Sequence, residues 1–218
     1  MSFLAAFDAE TLVAYTIAAS ALVIAPGPGQ ALVVARTIQG GTRAGVLTAF
    51  GLQVGTLVHT IAAAIGLSAI LAASATAFTV VKYLGAVYLI VLGATMLRKT
   101  WSGSAANGEV ATAPRVRNGA LILHAFATGV LNPKVAIFFL AFLPQFVHPE
   151  RGGVFGQFLV LGLILMGLGV AGDSTVAWLT GRARARVAAS PRFTRWRDTV
   201  TGTVLVALGL RLAFVQRT

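Results

Sequence analysis

Two charged side chains stand well inside long apolar stretches of this sequence, Lys134 and Asp173. A charge at such a position is costly, so it is retained where it pairs with another group, binds a ligand or carries a proton. We therefore take both residues as candidate functional groups, Lys134 for ligand binding and Asp173 for proton coupling. Two alternatives remain. Lys134 would hold a broken helix through a structural ion pair, and Asp173 would reach water at the end of its helix.

Proline and glycine interrupt two of the apolar stretches at corresponding places, within residues 25–30 and 132–134. Proline removes a backbone donor and clashes with the preceding turn, so both helices are expected to break and restart. Each restart would direct free N–H groups and the positive end of a helix dipole inward, which suits a carboxylate. The alternative is that both are packing kinks. The candidate substrate-binding residues of the two breaks are Pro26, Gly27, Pro28, Gly29, Gln30, Asn132, Pro133 and Lys134.

Two further polar residues, Gln53 and His59, lie six positions apart in the second apolar stretch and so do not share one helix face. We assign Gln53 to substrate binding. An imidazole has an ordinary pKa of about 6.5, so His59 is a second candidate for carrying a proton. For each, the alternative is a hydrogen bond to a neighbouring helix.

The elements that must position these residues are six apolar stretches in a chain of 218 residues, of which 57% are hydrophobic and 11% charged. The first five exceed the roughly 20 residues that cross a bilayer as a helix, and the last is near the lower limit. They lack the alternation of a membrane barrel. We predict an integral membrane protein with six transmembrane helices. The stretches are approximately 11–35, 44–71, 76–98, 119–147, 154–181 and 199–216.

The charge of the chain is strongly basic, +11, which by itself would suit a nucleic-acid partner. The arginines, however, fall in short gaps between apolar stretches, where the positive-inside rule expects them, and we predict no nucleic-acid partner. The first, third and fifth connections carry the excess of Lys and Arg. We therefore predict that these three are cytoplasmic and that both termini face outside. The arginine-rich fifth connection is also placed to contact anionic lipid.

The third connection, 99–118, is rich in Gly, Ser, Ala and Asn, as flexible linkers are. It would separate a three-helix half at 1–98 from a second at 119–218. Because three is odd, the second half must enter the membrane in the opposite sense to the first. The predicted fold is therefore an all-α membrane protein of two inverted three-helix repeats, with helices 1 and 4 broken, which is typical of secondary transporters.

Several chemistries lack the residues they need. The chain has no Cys and contains neither an HExxH nor a GxSxG pattern, so we predict no enzyme, no metal site and no cofactor. A phosphate-binding loop of the GxxxxGK[ST] type is also absent from the sequence, which favours transport driven by a gradient over transport driven by ATP.

Four segments, taken in order, resemble the lysine exporter (LysE/RhtB) family of amino-acid efflux proteins. They are PGPGQALVVARTIQGGTRAGVLTAFGLQVGTLVH, KYLGAVYLIVLGATMLRK, NPKVAIFFLAFLPQFV and GTVLVALGLRLAF. The resemblance covers nearly the whole chain, and PGP followed by NPK with LPQF is highly specific at this length. It implies a bacterial inner-membrane exporter of amino acids, coupled to protons, with inverted halves and a homodimeric assembly.

Two alternatives to this function are a channel or exporter for another small solute or ion and, with less support, an intramembrane enzyme. The exported amino acid also stays open. A cationic substrate requires a carboxylate beside its side chain, and Asp173 is the candidate inside the apolar stretches. A neutral substrate requires hydroxyl partners or an apolar pocket.

Overall fold

The computed structural model describes residues 7–73, 75–101 and 118–182, together with separate positions between 199 and 213. The regular structure of these residues is helical, and no strand occurs among them. The α-helices are α1 (Ala9–Ile24), α2 (Pro28–Ala73), α3 (Ala75–Trp101), α4 (Asn118–Val130), α5 (Pro133–Ile137) and α6 (Val154–Arg182).

The first predicted break is present between α1 and α2. Helix α1 begins after Asp8, whose carboxylate accepts a hydrogen bond from the Thr11 N–H at 2.7 Å and so caps the helix. It ends at Ile24, and the chain becomes helical again at Pro28. Proline is well suited to the first position of a helix because its missing N–H would have no helical partner there.

Helix α2 contains both the end of the first predicted stretch and all of the second. The two parts are separated at Gly41, whose φ of 78° and ψ of 178° are not helical. A positive φ is readily adopted by glycine, which has no Cβ, and is strained for other residues. The predicted gap between 35 and 44 is therefore a kink at a single glycine.

The second predicted break is present at the end of α4. Helix α4 stops at Val130, and Asn132 caps the restart by accepting a hydrogen bond from the Lys134 N–H at 3.1 Å. From Pro133 the chain forms α5, a π-helical turn over Phe138–Phe142 and a 3-10 turn over Leu143–Phe146. The two sides of this break meet at 44°.

Among the described residues, two helices are long and apolar enough to cross a membrane, Pro28–Gly66 and Val154–Arg182, and the bent pair Asn118–Val130 with Pro133–Phe146 would be a third. The prediction of an all-α chain with membrane-spanning helices is confirmed at this level. Six spans and an inverted relation between the halves stay predictions. Residues 102–117 of the predicted linker and most of the predicted sixth helix lie outside the described residues.

Close packing of the helices depends on small residues. At Gly55 of α2, a Cβ would lie 2.7 Å from the Val130 N of α4, and at Gly129 of α4 it would lie 2.5 Å from the Leu52 O of α2. Such contacts let two helix backbones approach each other closely. A separate aromatic core joins α1 to the segment after α5 and to α6. Its large, fully buried members include Tyr15, Phe138, Phe142 and Phe158.

Candidate functional site

The two helix breaks lie against each other, and Lys134 connects them. Its ammonium group donates hydrogen bonds to the carbonyl oxygens of Ala25, at 2.7 Å, and Leu22, at 3.0 Å, in the first break. In a regular helix the Leu22 carbonyl would accept a hydrogen bond from the N–H of the residue four positions later. That residue is Pro26, which has no N–H. The lysine of the second break thus bonds two carbonyls at the end of α1, and its positive charge lies at the negative end of the α1 dipole.

Gln30 donates a hydrogen bond to a further carbonyl at the same end of α1. Its side-chain Nε2 donates to the Val23 oxygen at 2.7 Å, and the side chain is buried. Val23 would otherwise be bonded by the N–H of Gly27, which lies in the non-helical break. Side chains from the restarting helix, Gln30, and from the second break, Lys134, therefore bond the carbonyls of the first break.

His59 performs a similar role at the second break. Pro133 has no N–H for the Gly129 carbonyl four residues before it, and that oxygen instead receives the Asn132 N–H at 3.2 Å and lies 3.3 Å from His59 Nε2. Because a carbonyl only accepts, this hydrogen bond requires the proton to be on Nε2. The ring also stacks on Phe139, with centroids 6.0 Å apart. These contacts favour the structural alternative for His59.

Asp173 meets Gln53 across the α2–α6 interface. Gln53 Nε2 donates to Asp173 Oδ2 at 3.0 Å, and both side chains are buried, Asp173 being 6% exposed. One turn earlier on α6, a Cβ at Gly169 would lie 2.4 Å from Gln53 Oε1. The absence of a side chain at Gly169 therefore makes the space in which Gln53 reaches the aspartate.

These groups surround one cavity at the junction of the breaks. The cavity has a volume of about 50 Å³. Six predicted site residues line it: Gly29, Gln30, Gln53, Asn132, Lys134 and Asp173. The remaining lining is Leu22, Val23, Leu52, Thr56, Gly129, Val135, Leu165 and Gly169.

The other predicted residues lie around the cavity rather than on its described wall. Pro26, Pro28 and Pro133 form the breaks themselves. Gly27 packs beside the lysine, since a Cβ there would lie 3.5 Å from Lys134 Nζ. His59 is held at the second break, as described above.

Sequence reasoning missed two residues that shape this wall, Thr56 and Gly169. Both carried a detectable signal, because Thr56 lies three residues after Gln53 and Gly169 four residues before Asp173. Either spacing places the residue on the same helix face as the polar group already identified.

The cavity is electrostatically mixed. Lys134 and Asp173 are the charged residues of its described lining. Around them are the amides of Gln30, Gln53 and Asn132. A small molecule that carries one positive and one negative group could be matched at both ends here, while the apolar wall would contact its uncharged part.

Broken helices around a charged internal cavity are found in many membrane transporters. The chain belongs to the LysE type translocator family, whose model matches residues 20–216, and is an integral membrane protein. This confirms the resemblance found in the sequence.

Three relatives illustrate the similarity. A membrane protein of Vibrio cholerae is 35% identical over 72% of this chain and 74% of its own length. The homoserine/homoserine lactone efflux protein of Salmonella typhimurium is 29% identical over 77% of this chain and 83% of its own length. The leucine efflux protein of Salmonella choleraesuis is 30% identical over 69% of this chain and 70% of its own length. No solved structure matches the chain.

Proposed function

We propose that this protein is a secondary active exporter that moves amino acids across the bacterial inner membrane, driven by the proton gradient. The observation that carries the proposal is the cavity between the two helix breaks, on which Lys134 and Asp173 present opposite charges. The family is one of translocators, and two of the relatives named above are efflux proteins, one for homoserine and homoserine lactone and one for leucine.

The chemical fit is to a zwitterion. The ammonium group of Lys134 would bind the substrate carboxylate, and the Asp173 carboxylate would bind the substrate ammonium group. Lys134 now bonds the carbonyls of Leu22 and Ala25, so an arriving carboxylate would compete with the end of α1 for it. Substrate binding would therefore loosen the contact between the two breaks, which is a direct route from binding to a change of shape.

For coupling, we assign the proton to Asp173. A buried carboxylate can exist with or without its charge, and the two forms differ in their attraction for Lys134 and for a substrate ammonium group. Protonation of Asp173 would remove its attraction for the substrate ammonium group, and the substrate would then be released. His59 is the second candidate proton carrier, although its bond to Gly129 gives it a structural reason to be there.

The orientation proposed from the charges of the loops has both termini outside and 99–118 inside, and the assembly proposed from family resemblance is a homodimer in the lipid bilayer. A reporter fused at Gly108 tests the orientation. An enzymatic reporter that works only in the cytoplasm should be active there, and activity of a periplasm-only reporter would reverse the topology.

The function is tested by reconstituting the purified chain into liposomes loaded with leucine or homoserine and imposing a pH gradient. We expect gradient-dependent movement of at least one of these amino acids. The Asp173→Asn variant, which removes the charge while nearly keeping the shape, should lose at least about tenfold in rate. Its membrane abundance should persist. Native rates and an unchanged dependence on the gradient in this variant would contradict the role of Asp173, and failure of the native chain to move any amino acid would contradict the function.

A further inference from the structure

Only one orientation of the Gln30 side-chain amide is compatible with its contact to Val23. Its nitrogen lies 2.7 Å from the Val23 carbonyl oxygen, which accepts hydrogen bonds and cannot donate them. The group facing Val23 must therefore be the NH₂, and the amide oxygen must point the other way. This assignment follows from the chemistry of the partner.

The amide oxygen so placed has no hydrogen-bond partner among the described residues, although its atom is fully buried. Gln30 as a whole is 9% exposed and lines the cavity. A buried acceptor without a partner is costly, and native structures rarely keep one unless a ligand or water completes it. The Gln30 oxygen is thus a buried acceptor on a residue of the cavity wall, and a donor brought by a ligand would complete its hydrogen bonding.

The charges of the cavity restrict what that donor can belong to. Lys134 and Asp173 balance each other, and the described lining holds no second carboxylate. A zwitterion adds one charge of each sign and leaves every charge matched. A substrate with an additional cationic side chain would leave one buried positive charge without a counter-charge, which is strongly unfavourable.

We propose, building on the exporter function above, that the cavity selects amino acids whose side chains are uncharged. The substrate carboxylate binds Lys134, and its ammonium group is shared between Asp173, which supplies the charge, and the Gln30 oxygen, which completes the hydrogen bonding. Gln30 is then a specificity-determining residue, because an amide at this position provides an acceptor without adding a second negative charge.

The substrate panel for the test is leucine, homoserine, lysine and 4-methylpentanoate, which is leucine without its amino group, supplied to liposomes containing the native chain. We expect leucine or homoserine to exchange at least about tenfold faster than lysine. 4-Methylpentanoate should neither exchange nor compete, because it brings no donor for Gln30 or Asp173. Lysine exchange as fast as the better neutral substrate would overturn the selectivity while leaving the exporter function intact. Absence of exchange for every amino acid would overturn both.

The role of Gln30 is tested by the Gln30→Glu variant, which places a second carboxylate on the cavity wall. The ratio of lysine to leucine exchange should rise by about tenfold. The matched control is Gln145→Glu, because Gln145 Nε2 also donates to backbone carbonyls, of Ala141 and Phe142, but Gln145 is not part of the described lining. Its ratio should stay at the native value. An unchanged ratio in a Gln30→Glu variant that still transports would overturn the role of Gln30. If that variant does not fold, Gln30→Met, which is similar in size and has no acceptor oxygen, decides the role: leucine exchange at the native rate would overturn it.

Discussion

Two clusters of charged and polar side chains among the residues that the structure describes differ in how far they are removed from water. The inner cluster is Lys134, Asp173, Gln53 and Gln30, around the cavity between the helix breaks. The outer cluster is Asp8, Arg151, His148 and Glu150, at the start of α1 and the turn before α6. In the outer cluster Arg151 pairs with Asp8 at 3.1 Å, with side chains 38% and 48% exposed.

The comparison shows that charged side chains have different energetic consequences when they are exposed to water and when they are removed from it. Exposed ion pairs contribute about 0–1 kcal/mol, because water solvates the charges almost as well as they solvate each other. Buried charges lose that solvation and are kept only with good partners or for a function. The outer cluster therefore explains how α1 is tied to the turn at 149–151, whereas the inner cluster lines the cavity in which we propose that the substrate binds.

The largest expected effect comes from breaking the inner cluster at Lys134. Lys134→Met removes the cation of the cavity wall and leaves the Leu22 and Ala25 carbonyls without this donor. Because the proposed site would lose its binding group for the substrate carboxylate, amino-acid exchange in liposomes should fall by more than about 100-fold. Lys134→Arg keeps the charge and should retain more activity. Exchange by the methionine variant within about threefold of native would show that the charge is not used.

A smaller effect is expected from Gly169, which affects the inner cluster without carrying a polar group. In Gly169→Ala the new methyl group would collide with Gln53 and displace it from Asp173. We expect exchange to fall by about tenfold, with the variant still folded. The matched control is Gly167→Ala on the same helix, where a Cβ would meet nothing within 4 Å. Equal exchange by the two variants would mean that the position of Gln53 does not matter.

The smallest effect is expected in the outer cluster. Hydrogen bonds from Thr11, with a contribution from Arg151, hold the pKa of Asp8 well below its usual range. A carboxylate with a lowered pKa stabilises the fold above its unfolded pKa of about 3.9, and this stabilisation is lost as the pH falls through the lowered value. Asp8→Asn should therefore change exchange by less than about twofold. The difference in melting temperature between it and the native chain should be constant from about pH 5 to 8. A loss as large as that at Gly169 would contradict the contrast between the clusters.

Both helix breaks could be predicted from the sequence because their cause is local. Proline at positions 26, 28 and 133 cannot donate to the preceding turn in any surroundings, so the interruption is independent of the rest of the fold. The partners of the exposed carbonyls could not be predicted in this way. Lys134 bonds Leu22 across 112 residues of chain, and no periodicity or propensity carries that information.

The candidate site was predictable in part for the same reason. Lys134, Asp173 and Gln53 are conspicuous because polar groups are rare in apolar helices. Gly169 is one of 24 glycines, and its importance depends on the side chain that faces it on another helix. His59 was selected for its chemistry, but its contact with the Gly129 carbonyl becomes visible only when α2 and α4 are packed together.

The central claim, that an amino acid binds in the cavity between the breaks, is tested most directly by thiol protection. The chain has no cysteine, so a single Thr56→Cys variant places one thiol on the cavity wall. Its labelling by a small methanethiosulfonate reagent should slow by about tenfold when leucine or homoserine, whichever is transported faster, is present at ten times its half-saturating concentration. Gly119→Cys, at a position where a side chain would meet nothing within 4 Å, should label at the same rate with and without the amino acid. Equal labelling rates with and without substrate in a Thr56→Cys variant that still transports would contradict the account.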